Sequence, residues 1–140
     1  MKAKIRITLM TDEGERFYGP GVQDLLTGIK EQGSVKEACK AMDLSYSKGR
    51  SILRHAEGVL GYQLVKRQRG GAMGGGSATL TPQAEEFVRR YGMLADSVDE
   101  YVKECMKEAF PETGSLRTER SHGTSRRRPV RKERFPLIAR

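Results

Sequence analysis

Residues 34–60 constrain the fold more than any other stretch of the chain. Ser34 stands before a short apolar-periodic run, and Glu37 follows it at the spacing of a capping box. The run sets Val35, Ala38, Cys39 and Met42 on one side, the period of a helix. Asp43 and Leu44 make a tight connection. Ser45 then caps another helix with apolar positions Ile52, Leu53, Ala56, Val59 and Leu60, and Gly61 stops it. Two capped helices joined by so short a turn are a helix-turn-helix, and Ala38 and Gly49 are small where such helices cross closely.

The flanking segments complete a compact plan. Ile5, Ile7 and Leu9 alternate with Lys4, Arg6 and Thr8, which predicts a half-buried strand. Asp12-Glu13-Gly14 turns the chain, Arg16-Phe17-Tyr18 returns as a partner strand, and Gly19-Pro20-Gly21 ends it. Val22, Leu25, Leu26 and Ile29 mark a first helix that stops at Gly33. After Gly61, extended runs over 63–67 and 78–81 enclose a loop holding Gly70, Gly71, Gly74, Gly75 and Gly76, a hairpin wing. Thr81-Pro82 opens a long helix over 82–110. In it Ala84, Phe87, Tyr91, Leu94, Val98, Tyr101 and Cys105 fall on a heptad seam, with Val88, Ala95 and Val102 beside it. So small a domain cannot cover all of that seam. Phe87, Tyr91, Leu94, Val98, Tyr101 and Cys105 are therefore expected to meet a second copy. The expected class is mainly α with small β: a winged helix-turn-helix over 1–110 with a long C-terminal dimerisation helix.

Charge is distributed unevenly. The 140 residues carry a formal net charge of +8, with 31% charged and 36% hydrophobic residues. Residues 111–140 hold nine Lys/Arg against three Asp/Glu, so +6 lies there and +2 on 1–110. That segment reads as a basic, disordered tail. A positive balance favours a polyanion, either nucleic acid or an anionic membrane surface. No apolar run is long enough to span a bilayer, and 1–10 alternates rather than forming a signal peptide, so a soluble cytoplasmic protein with no membrane partner is expected. Cys39 and Cys105 lack metal-ligand spacing and read as small buried thiols in a reducing compartment. From 45 to 70, six Lys/Arg stand against one acid, Glu57. The far half of the long helix is acidic, with Asp96, Asp99, Glu100, Glu104 and Glu108.

Positive charge thus gathers where a second helix of this kind meets DNA. Such a helix enters the major groove, and residues near its N-terminus read base edges. That N-terminus offers Ser45, Tyr46, Ser47, Lys48, Arg50 and Ser51, with Arg54 one turn later. Arg50 suits guanine O6 and N7 through two parallel bonds. Ser47 and Ser51 can donate to a base or phosphate, Tyr46 can stack or bond a phosphate, and Lys48 and Arg54 suit phosphates. On the wing, Lys66, Arg67 and Arg69 add phosphate contacts, and glycines allow close backbone approach. No enzyme site emerges. His55 and His122 stand alone, no nucleophile–base or carboxylate pair can be assembled, and the glycine loop lacks the lysine of a P-loop. No metal or cofactor is expected. The expected function is sequence-specific binding of double-stranded DNA by a homodimer that regulates transcription. A nonspecific nucleic-acid or nucleoid protein, and a winged-helix protein-interaction module, would use the same surface.

Three stretches carry a family resemblance: Gly33-Ser34-Val35-Lys36-Glu37-Ala38, Leu44-Ser45-Tyr46-Ser47, and the run from Gly70-Gly71-Ala72-Met73 through Gly74-Gly75-Gly76-Ser77 to Ala78-Thr79-Leu80-Thr81-Pro82. They resemble the N-terminal DNA-binding domain of ModE-type molybdate-responsive regulators, itself a distant relative of the LysR-type winged helix. The resemblance covers about residues 4–106, and the glycine-rich wing ending in Ala-x-Leu-Thr is its most specific part. It implies a recognition helix starting at Ser45-Tyr46, a wing on DNA and a long last helix that helps form the dimer. Many members carry a small residue followed by Trp where this chain reads Lys48-Gly49-Arg50, so base preference does not carry over. Full-length members continue into molybdate-binding domains. Residues 111–140 resemble no oxyanion pocket, so the resemblance implies a stand-alone DNA-binding form, for which a molybdate effector is possible but not supported by this chain.

Overall fold

Among the described residues, the elements run β1 (Leu9–Met10), β2 (Arg16–Tyr18), α1 (Pro20–Gln32), α2 (Val35–Ala41), α3 (Tyr46–Leu60), β3 (Val65–Gln68), β4 (Ser77–Leu80) and α4 (Pro82–Ala109). This computed structural model describes residues 1–68 and 76–111. Arg69, the wing glycines Gly70, Gly71, Gly74 and Gly75, and the tail beyond residue 111 lie outside the described residues, as do the expectations placed on them. The architecture is mainly helical with two small antiparallel sheets, β1–β2 and β3–β4, the layout of a winged helix-turn-helix.

The core forms around α1. Its apolar face places Leu25, Leu26 and Ile29 out of contact with solvent and Val22 nearly so. Around it pack Val35, Ala38 and Cys39 of α2, Leu53 and Ala56 of α3, Leu64, Val65, Ala78 and Leu80 at the base of the wing, and Ala84 and Tyr91 of α4. Burying each large apolar side chain contributes about 1.5–3 kcal/mol against the chain entropy lost on folding. Gly33 ends α1 in the left-handed conformation (φ 69°), returning its N–H to Ile29 O. Ser34 Oγ accepts from Glu37 N at 3.3 Å, the serine's half of the capping box.

Two close helix approaches set the tri-helical geometry. A Cβ at Gly28 would lie 3.3 Å from the Ala38 Cβ, and one at Gly49 would lie 2.2 Å from the Cys39 Sγ. Ala38 therefore meets α1, while Gly49 receives the α2 thiol. Burial raises the Cys39 pKa above the ordinary thiol value, as suits a packing group rather than a nucleophile.

The first strand is shorter than its alternation predicts. Only Leu9 and Met10 pair with β2, with a register irregularity between them. The ladder stops because β2 has three residues before Gly19-Pro20 starts α1. Ile5 is 48% exposed, while Ile7 packs against the core and its carbonyl accepts from Tyr91 Oη at 2.7 Å. Cys105 also departs from expectation. It is exposed, because the second half of α4 runs past its own domain.

One polar relay crosses this packing. The Tyr18 hydroxyl donates to Gln23 Oε1, and Gln23 Nε2 donates to the Val88 carbonyl at 2.9 Å, joining β2, α1 and α4. The Tyr18 ring lies 4.5 Å from Phe87 and 5.0 Å from Tyr91 between centroids, both tilted. Burial, then Tyr91 and Tyr62, push the Tyr18 phenol far above its ordinary pKa, so it remains a neutral donor.

The wing is anchored at its base. Ala78 N–H donates to Gly33 O at 2.8 Å, and Thr81 N–H to Leu64 O at 3.0 Å. Thr81 Oγ1 donates to Gln63 O at 2.7 Å while accepting from Ala84 N at 3.1 Å, so one hydroxyl caps α4 and closes the hairpin. Thr81→Val keeps the shape and removes both bonds. A loss of about 1–3 kcal/mol is expected in urea unfolding, and a loss below about 0.3 kcal/mol would show that the hydroxyl does not hold the junction.

Candidate nucleic-acid interface

Ser45 starts α3 as expected. Its backbone is extended and its Oγ accepts from Lys48 N at 3.1 Å. The turn before it spans Met42 to Ser45, with Asp43 in the left-handed region (φ 59°) and Leu44 N–H bonded to Cys39 O at 2.9 Å. Asp tolerates that conformation better than most residues. Gly49, Leu53 and Ala56 fall on one stripe and turn inward. That register leaves Ser47, Lys48, Ser51 and Arg54 exposed on the opposite side, in the first turns of the helix.

Arg50 is half-buried rather than free. Its guanidinium carbon lies 5.6 Å from the Tyr46 ring centroid, and its Nε is buried with no hydrogen-bond partner. Tyr46, one turn earlier and 41% exposed, also receives the wing. Arg67 Nη1 donates to Tyr46 Oη at 3.1 Å, and the Arg67 guanidinium carbon lies 5.8 Å from the same ring. β3 pairs with β4 in the register Val65–Leu80 and Arg67–Ala78. Strand alternation sets Arg67 on the side of buried Val65, facing α3, and sends exposed Lys66 to the other side. The structure thus brings Arg67 to the helix cluster, while Lys66, on the other strand face, still borders the groove between α3 and β3.

A groove between α3 and β3 is lined by Arg50, Arg54, Arg67, Gln68 and Glu57. Glu57 is committed to the backbone there, its Oε2 accepting from Leu64 N at 3.2 Å. The acid of this region therefore secures the α3–β3 connection. A second groove, below the wing, is lined by Ser34, Lys36, Tyr46, Arg67 and Ser77. Lys36 and Ser77 are absent from the sequence-derived set. The signal for Lys36 was its place in the first turn of α2, on the side away from Val35 and Ala38. Ser77 becomes visible only once the wing docks at Gly33, ahead of α2. His55 is a structural tie: its Nε2 lies 2.9 Å from Arg16 O, which can only accept, with Glu15 Oε1 3.5 Å away. Among the described residues, no group of three or more His, Cys, Asp or Glu is placed to hold a metal, and no helix is long and apolar enough to cross a membrane.

The seam of α4 divides in two. Phe87 is half-buried against Tyr18 and Tyr91 is 6% exposed, so both serve the core of their own chain. Leu94 and Val98 are half-buried, and Tyr101 (51%) and Cys105 are exposed. The Cys105 side chain, one turn on, raises the Tyr101 pKa. The helix has 28 residues, which span about 42 Å, more than the domain beneath it can cover.

A solved structure, the crystal structure of a BenM_DBD/catB site 1 DNA complex, is similar to this chain at 20% identity and a TM-score of 0.48, covering 68% of this chain and 96% of the other. No protein-family model and no curated protein matches the sequence.

Proposed function

We propose that this protein is a sequence-specific DNA-binding transcriptional regulator that acts as a homodimer. One observation carries the reading. Ser47, Lys48, Ser51 and Arg54 are exposed along the first half of α3, and the wing delivers Arg67 to its flank beside Tyr46, Arg50 and Arg54, while the acid there, Glu57, is turned to the backbone. A helix N-terminus flanked by a basic wing matches the width and charge of a major groove. Lys48, Arg54, Lys66, Arg67 and Arg69 supply phosphate contacts. Arg50, Ser47, Ser51 and Tyr46 supply discrimination, with Ser45 fixing the helix start. Two copies joined through α4 present their reading helices to successive grooves, about 34 Å apart.

The test is selection of duplexes from a random pool, followed by anisotropy titrations on the selected duplex and a scrambled one across salt concentrations. The expected result is a preference of at least about 1,000-fold, with affinity falling as salt rises. Equal salt-sensitive binding to both would replace this reading with nonspecific nucleic-acid binding. No binding at low salt would favour a protein-interaction module.

The homodimer reading rests on a stripe in which Leu94, Val98 and Val102 are only half-buried and Tyr101 and Cys105 are exposed. Val98→Asp with Tyr101→Asp is expected to give a monomer in sedimentation and to weaken binding to the selected duplex at least about tenfold, since charges desolvated at an apolar contact oppose association. A dimer that survives both substitutions would place the contact elsewhere.

A further inference from the structure

We propose that Tyr46 is a positioning residue that couples the wing to the reading helix, holding Arg50 and Arg67 on one ring so that the discrimination of α3 depends on the wing's placement. The inference rests on the DNA-binding reading above and assigns Tyr46 a role within that site. The geometry is specific. Tyr46 and Arg50 are one turn apart on α3, whereas Arg67 arrives from β3, 21 residues away in sequence, with a hydrogen bond to the phenol oxygen. Both guanidinium carbons lie within 6 Å of the ring centroid, at 5.6 and 5.8 Å, the range in which a cation is attracted to an aromatic quadrupole. The buried Nε of Arg50 lacks a hydrogen bond, and the Tyr46 ring flanks its guanidinium.

The consequence separates affinity from selectivity. Removing the ring leaves every positive charge in place, so the electrostatic attraction to phosphates persists and the salt dependence is unchanged. Bidentate recognition of a base edge depends on the direction of the guanidinium, so selectivity falls. The hydroxyl and the ring can also be told apart. Tyr46→Phe removes the Arg67 bond and keeps both ring contacts, whereas Tyr46→Leu removes both.

The experiment has a DNA-free arm and a DNA arm. In the free protein, NMR of the arginine side chains is expected to show ring-current-shifted Arg50 and Arg67 resonances. Those shifts persist for Arg50 in Tyr46→Phe and vanish in Tyr46→Leu. Random-coil positions for both arginines in the unsubstituted protein would overturn the proposal, whatever the DNA arm gives. In the DNA arm, the ratio of affinities for the pool-selected and scrambled duplexes is expected to fall on the order of tenfold in Tyr46→Leu, with an unchanged salt slope and substantial recovery in Tyr46→Phe. An unchanged ratio in Tyr46→Leu would overturn the positioning role. A steeply altered salt slope would instead make Tyr46 part of the phosphate contact itself. If the pool yields no preferred duplex, the sequence-specific reading fails, and loss of the ring shifts in Tyr46→Leu still reports the clamp.

Discussion

Replacing Gly49 with alanine is expected to destabilise the domain by about 3 kcal/mol, and Cys39→Ala in the same chain is expected to return most of that loss. The added methyl would sit 2.2 Å from the Cys39 Sγ, with Leu25 Cδ2 behind it at 4.0 Å. Cys39 is 1% exposed and Leu25 fully enclosed, so neither can yield into solvent. The helices must separate or the thiol must leave its rotamer, and either change disturbs the angle at which α3 is presented. Truncating Cys39 removes the obstructing sulfur, because its Cβ would stand 3.8 Å from the new methyl, an ordinary contact. In that background alanine also favours the helix by about 1 kcal/mol over glycine. A double-mutant cycle by urea unfolding should therefore give a coupling of about 2–3 kcal/mol. Additive effects would mean that the α2–α3 crossing is looser than described.

Reversing charge at Arg54 and Arg67 together is expected to lower affinity for duplex DNA by about 100-fold or more at moderate salt and to flatten its salt dependence. The two residues lie on different elements but line one groove. On the proposed reading each reversal removes a phosphate contact and adds repulsion, so the pair should exceed two neutral replacements. Both side chains are exposed, so the fold should survive. Reversal of Lys103 and Lys107, on the acidic half of α4, is the control and should leave binding nearly unchanged. Comparable losses from both pairs would indicate attraction to overall charge rather than to this face.

Helical structure was legible because its signals are local. Ser34, Ser45 and Thr81 each accept the N–H they were expected to cap, and Gly33 and Gly61 each end a helix in the left-handed region. Val22, Leu25, Leu26 and Ile29 recur at helical spacing because one face is buried, so the period reports the face directly. The first strand misled for the opposite reason. Alternation at Ile5, Ile7 and Leu9 reports which side chains turn inward, not whether a partner strand is long enough to pair with them. Cys105 is a similar case: a heptad position states that a stripe is apolar, and only the extent of the domain beneath decides what covers it. In the site, the exposed set on α3 followed from register. The link between Tyr46 and Arg67 did not, because it depends on how the wing folds back on the helix. Arg50 looked like a free reader and is instead held against a ring.

The most direct test of the central claim is a titration of isotopically labelled protein with short duplex DNA, followed by backbone and side-chain NMR. Shifts are expected to concentrate at Tyr46 to Arg54 and Val65 to Gln68, with smaller ones at Lys36 and Ser77 and almost none at Asp99 to Glu108. Shifts confined to α4, or none at low salt, would contradict the central claim.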